Sequence, residues 1–214
     1  MESNIASFFD EMSFRLEIIK DANSKLNKFL APEFNFLKLM YIDENKMSDL
    51  IAFLLNPSGS HGQESIFLIK FLERLLEQSR ISLDTSGVKV SRESHTYTIF
   101  QNHRRIDILV ELGSVLIAIE NKLWSGEQDN QLADYSDHLS KLCDNSYIVF
   151  LTPSGHNPKT INTDQAPSGV TLVVWSYFEV ATWLDECKAV CNSTRVCFFL
   201  DEFKNYILEN IVQG

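Results

Sequence analysis

A chain of 214 residues with 44% apolar and 22% charged side chains has enough material for a core of its own without disulfide or metal staples, which excludes a disordered or fibrous chain. Its net charge of −10 excludes a protein that coats nucleic acid by bulk phosphate neutralisation. A local basic groove stays open, because Lys89, Arg92, Arg104 and Arg105 gather between 88 and 105 while acids crowd the C-terminal third.

From 3 to about 30, Ile5, Phe8, Phe9, Met12, Leu16 and Ile19 recur at helical spacing and Pro32 punctuates the end, so an amphipathic helix is expected. The same stretch lacks the basic-then-apolar pattern of a secretory signal, and no segment is apolar enough to span a bilayer. A second helix is expected over about 45–55, stopping before the turn 56-NPSG-59, and a third over about 63–78. The character then changes. Residues 88-VKVSRESHTYTIF-100 are rich in β-branched and aromatic side chains, and 106-IDILVEL-112 and 115-VLIAIENK-122 are apolar runs separated by Gly113-Ser114. These read as three strands, the last two a hairpin.

A helix over about 127–142, a buried strand at 146–151, a loop rich in Pro, Gly, Asn and Thr at 152–169 and a strand at 170–175 follow. Two helices, about 177–190 and 194–211, close the chain. This order predicts an α/β fold with a mixed central sheet, an antiparallel meander plus crossover strands, flanked by helices. A single domain is expected over 1–214, with N-terminal helices in 1–80, the sheet core in 86–176 and C-terminal helices in 177–214. Four cysteines without dense spacing point to a reducing cytoplasm, and Cys187 and Cys191, four apart on a helix with no partner His near, read as packed thiols.

The hairpin carries the chemistry. If Gly113-Ser114 is a two-residue type II′ turn, Leu112 faces Val115, and counting outward puts Asp107 opposite Glu120 with Lys122 on the same face. A four-residue turn would set Asp107 opposite Ala118 and keep the shared face; a three-residue turn would break it. Two carboxylates so close in an apolar sheet are costly to ionise unless a cation lies between them. Mg²⁺ suits that position, since it binds through one or two carboxylates and retains water. A lysine beside it orients water and offsets charge on a phosphorane, so the set reads as a phosphodiester-hydrolysing site. The competing reading is a solvated ion pair at a strand end.

The stretch 105-RIDILV-110 followed by 119-IENK-122 resembles the PD-(D/E)xK nuclease superfamily, with Ile106 where the motif's Pro would stand. The linked stretches 44-ENKMSDLIAFLLNPSGSHGQESIFLIKFL-72 and 120-ENKLWSGEQDNQLADY-135 are similar to a bacterial subgroup with Glu, Ser and His-Gly in its N-terminal helices and an ExK strand running into a Gln-Leu…Tyr helix. The resemblance implies a restriction-endonuclease-like fold and a nuclease using Mg²⁺ or Mn²⁺. It implies that Asp107, Glu120 and the backbone carbonyl of Asn121 are metal ligands and Lys122 the catalytic lysine. Glu44 would bind the ion through water, with first-turn helix-dipole stabilisation as its alternative role. Gln131 and Tyr135, four apart, would face the site from the following helix.

Arg105 would grip substrate backbone, and His61 would touch a phosphate or serve its turn. Trp124 would stack on a base, although core packing is the stronger expectation, and the 152–169 loop with His156 and Lys159 would form a flap. DNA is the expected substrate, with RNA the alternative. A homodimer would suit cleavage of both strands, and a protein partner could supply recognition. Restriction, phage defence or a mobile element is the setting that the resemblance implies. The alternative function is a catalytically silent module that binds nucleic acid or a partner on a nuclease scaffold.

Overall fold

The computed structural model describes residues 2–31, 34–76, 84–94, 105–159 and 169–213. By contact the chain divides into two compact units, Met1–Phe36 and Leu37–Gly214. The first is built on helix α1, Glu2–Leu30, laced by i,i+4 ion pairs between Arg15 and Glu11 and between Lys25 and Asp21. Along it Phe8, Phe9, Met12, Leu16 and Ile19, the residues of the expected apolar face, are exposed.

The second unit begins with α2, Glu44–Leu55, whose N-cap Asp43 accepts from the Lys46 N–H at 2.7 Å. The helix ends at Asn56, before Pro57, where the sequence places the stop. Helix α3 spans Ile66–Leu75 and starts three residues later than the periodicity predicts, because Glu64 turns through the left-handed region at φ +50°. Strands β1 (Lys89–Ser94), β2 (Ile106–Leu112) and β3 (Val115–Asn121) form an antiparallel meander. Of the predicted first strand, 95–100 lies outside the described residues.

Helix α4, Gln131–Leu142, crosses to β4, Ser146–Thr152, which pairs parallel with β3. Residues 127–130, expected to open that helix, are irregular instead, with Asn130 left-handed at φ +59°. Residues 153–169 return the chain to β5, Val170–Ser176, parallel to β4, and 160–168 of this loop lies outside the described residues. Helices α5 (Tyr177–Val190) and α6 (Thr194–Ile207) and a π-helical turn, Leu208–Val212, close the unit. The sheet is mixed, as the sequence predicts, and its order β1-β2-β3-β4-β5 puts β3 at the centre.

Two apolar faces explain why the central strands are almost wholly apolar. On one, Leu132, Tyr135 and Leu139 of α4 pack on Leu109, Ala118, Ile148 and Phe150. On the other, α3 and α5 interlock: Phe71 meets Trp175 and Trp183 edge-on, and the Trp183 indole donates to the Phe67 carbonyl at 3.0 Å. Alternation along β3 therefore sends Ala118 and Glu120 toward α4 and Asn121 toward α2 and α5.

Candidate active site

Gly113 adopts φ +55°, as the first central position of a type II′ turn requires, and Leu112 pairs with Val115. The ladder runs outward to Ile108 opposite Ile119, so the next pair in register is Asp107 and Glu120. The two acids meet where β2 begins and β3 ends. The Asn121 N–H donates to Asp107 Oδ2 at 2.8 Å, holding that carboxylate against the β3 terminus.

Glu120 is 1% exposed. Its Oε1 accepts from Lys122 Nζ at 2.7 Å and from Gln131 Nε2 at 2.6 Å, while Oε2 is buried with no hydrogen-bond partner among the described residues. Burial, and then the neighbouring Asp107 charge, push the Glu120 carboxyl up to about 7, against the pull of Lys122. Burial also raises Asp107, opposed by the Asn121 N–H and by the charges of Lys122 and Arg92. Burial works to lower the Lys122 ammonium, but its bond and attraction to Glu120 outweigh it and the pKa ends above the usual lysine value. Lys122 is therefore a protonated cation.

A supporting shell comes from four elements. Gln131, first residue of α4, also donates to the Tyr135 hydroxyl at 2.9 Å, and Tyr135 donates in turn to the Arg105 carbonyl just before β2. Burial and the Glu120 charge drive the Tyr135 hydroxyl far above the usual tyrosine range, so it stays a neutral donor. On the opposite face the Asn121 amide donates to the Glu44 carbonyl and to Ser48 Oγ, and accepts from the Tyr177 hydroxyl at 2.8 Å. From β1, Arg92 binds the Asp49 carboxylate at 2.9 Å and the carbonyls of Asn45 and Asp107.

Glu44 opens α2, and its carboxylate reaches across to the chain just beyond Lys122. Oε2 accepts from the N–H groups of Leu123, Trp124 and Ser125 at 2.9, 3.3 and 3.3 Å, and the Ser125 hydroxyl lies at 2.7 Å from Oε1. Burial favours the neutral acid, but these donors prevail and the pKa falls below the usual glutamate value. This carboxylate grips a loop in the manner of an anion bound by successive backbone amides.

The other expected residues are placed differently. Arg105 contributes its backbone carbonyl to Tyr135, while its guanidinium pairs at the surface with Glu93 at 3.0 Å. His61 sits in the turn between α2 and α3, where Nε2 meets the Asn56 carbonyl at 2.9 Å and Nδ1 accepts from the Gln63 N–H. Both ring nitrogens are thus committed to the turn. Trp124 is exposed rather than packed in the core, because the Glu44-bound loop carries it outward. No local motif marks Ser125 or Tyr177, and Arg92, one of the basic residues gathered in 88–105, binds Asp49 instead of lining an open groove, since the partners of all three lie far away along the chain.

Among the described residues no group of three or more His, Cys, Asp or Glu side chains could hold a metal. A metal here must be held by two carboxylates, backbone oxygen and water, a donor set that Mg²⁺ accepts. The residues fit such an ion. Glu120 Oε2 is an orphaned buried acceptor, and both carboxylates are strained toward neutrality by burial, a cost that a divalent cation would relieve.

Beside Lys122 the surface opens into a cleft of about 610 Å³ lined by Lys122, Trp124, Glu127, Phe150, His156 and Lys159, among others. An unpaired carboxylate oxygen, a lysine and an adjoining cleft thus lie together at the end of β3. The family model described as the PD-(D/E)XK nuclease superfamily matches residues 34–205, from before α2 into α6. No curated protein and no solved structure matches the chain. With its mixed five-stranded sheet between helices in the restriction-endonuclease-like arrangement, the chain belongs to the PD-(D/E)XK nuclease superfamily.

Proposed function

We propose that this protein is a Mg²⁺- or Mn²⁺-dependent nuclease that hydrolyses phosphodiester bonds, with DNA as its substrate. The observation that carries the reading is the buried, partnerless Oε2 of Glu120 beside Asp107 and Lys122. Asp107, Glu120 and the backbone carbonyl of Asn121 would hold the ion. Bound there, it would supply positive charge to a phosphate oxygen and acidify a water.

The chain's own residues do the rest. Lys122 carries its proton on Nζ, fixed by Glu120 at 2.7 Å, and places positive charge where negative charge grows on the phosphorane. Gln131 and Tyr135 hold the Glu120 carboxylate in one orientation. Glu44 fixes the segment that follows Lys122; its oxygens are engaged by that loop, so we assign it a positioning role, with any reach to the ion through water. Arg105 carries a surface cation that substrate phosphate would compete for against Glu93. His61 we assign to its turn.

Incubating the purified protein with plasmid, linear duplex and single-stranded DNA, in Mg²⁺ or in EDTA, tests the reading directly. Cleavage is expected only with the divalent cation and only with Lys122 present. Cutting that survives EDTA, or persists undiminished in Lys122→Ala, would overturn the mechanism.

A further inference from the structure

The cleft beside Lys122 has two walls, the 123–129 segment that leaves β3 and the 153–159 segment that leaves β4. On the first stands Trp124, 62% exposed, while Trp175 and Trp183 are buried at 5% and 1%. On the second stand His156 and Lys159, both exposed. The His156 ring meets Phe150 edge-on at 6.0 Å, and its Nδ1 lies 3.4 Å from Ser154 Oγ.

Both walls are fixed in place. Glu44 Oε2 accepts from the Trp124 N–H, which ties the aromatic wall to α2. Glu127 accepts the Lys159 N–H through both oxygens, at 3.0 and 2.8 Å, which ties the walls to each other. An aromatic side chain carried on a fixed loop loses little conformational freedom when something stacks on it.

We propose that this cleft seats an unpaired nucleotide, its base stacked on Trp124 and its phosphate toward Lys159 and His156, so that the protein acts on single-stranded or frayed nucleic acid. The chemistry at Lys122 rests on the nuclease reading above; the seating of the base does not. A base inside a duplex has both faces covered by its neighbours and offers none to Trp124, whereas an unpaired base offers a face whatever its identity.

Charge points the same way. A duplex carries about one negative charge per 1.7 Å of axis, and binding it calls for many phosphate contacts. This chain carries a net −10 and brings few cations to the cleft, with Glu127 and Asp129 beside them. Lys122 is held in its ion pair with Glu120 at 2.7 Å and turned to the end of β3. Affinity here must come from stacking more than from phosphate, and stacking selects the single strand.

The test is binding by the full-length protein in EDTA, read by anisotropy of a labelled short oligodeoxythymidylate. A chain of abasic residues of equal length and a blunt duplex serve as competitors. The thymidylate is expected to bind with a shallow salt dependence and to quench tryptophan fluorescence, with both competitors much weaker. Trp124→Ala should weaken thymidylate binding about tenfold or more, and Trp124→Phe should restore most of it. Wild-type affinity in Trp124→Ala, or an abasic chain or duplex competing as well as the thymidylate, would overturn the inference. Stacking-dependent binding without cleavage under any divalent cation would leave it standing and remove the nuclease reading. Metal-dependent cleavage with Trp124-independent binding would do the reverse.

Discussion

The Gln131 amide donates to Glu120 Oε1 at 2.6 Å and to the Tyr135 hydroxyl at 2.9 Å, so α4 steers a β3 carboxylate through one oxygen while Oε2 keeps no hydrogen-bond partner among the described residues. Residues that orient a metal-binding carboxylate typically tune affinity or activity 10- to 100-fold. Gln131→Ala should therefore stay folded and lose activity on about that scale. Raising the Mg²⁺ concentration should recover part of it. A titration of cleavage rate against Mg²⁺ checks this; an unchanged midpoint with lowered maximal rate would assign Gln131 to the reaction and not to the ligand's orientation.

Glu120 gives the metal-free protein a pH dependence with a definite sign. Its carboxyl sits at about 7 when folded, above the ordinary value of 4.5. Between those values the folded state binds a proton that the unfolded state does not, so its contribution is full below the ordinary value and is lost as pH rises through about 7. The loss is about 3 kcal/mol. In EDTA, the wild type should lose more thermal stability between pH 5 and pH 8, conditions about this window, than Glu120→Gln. Saturating Mg²⁺ should flatten the wild-type slope. Parallel slopes for wild type and variant would show that Glu120 does not titrate this way.

Glu44 distinguishes two roles by its rescue behaviour. As a loop anchor it accepts from three successive N–H groups and a hydroxyl, and charge-assisted bonds of this kind contribute about 1.5–3 kcal/mol each when broken singly. Glu44→Ala should free the segment that carries Trp124, shift its fluorescence and lower the melting temperature. Cleavage should fall and excess Mg²⁺ should not restore it. Full recovery at high Mg²⁺ with an unchanged tryptophan spectrum would instead make Glu44 a metal ligand.

What the sequence shows and hides follows the range of each interaction. The facing of Asp107 and Glu120 was readable because a two-residue turn at Gly113-Ser114 sets the register of everything outward from it. Gln131 and Tyr135 were readable as a pair from their spacing on α4. The grip of Glu44 on Leu123 and Ser125 was not, since a first-turn glutamate looks the same whether it serves its helix dipole or a loop 79 residues away. Arg92 joins β1 to Asp49, 43 residues back, and carries no local signature either. Of the two places the sequence allows Trp124, stacked on a base or packed in the core, packing is the stronger expectation, and only the course of the anchored loop turns the side chain to the surface.

Asn121 separates a backbone role from a side-chain one. Its amide links α2, β3 and α5 through Glu44, Ser48 and Tyr177, while its proposed contribution to the metal is a main-chain carbonyl. Asn121→Ala leaves that carbonyl in place and strips buried partners of their bonds, at about 1–3 kcal/mol for each group left unpaired. The Tyr177 hydroxyl, whose pKa burial already drives far upward, would be orphaned at the core. The variant should therefore melt well below the wild type, and below its own transition it should keep a Mg²⁺ midpoint close to the wild-type value. A destabilised variant with its Mg²⁺ midpoint shifted tenfold or more would mean that the amide, and not the carbonyl alone, sets the geometry of the ion site.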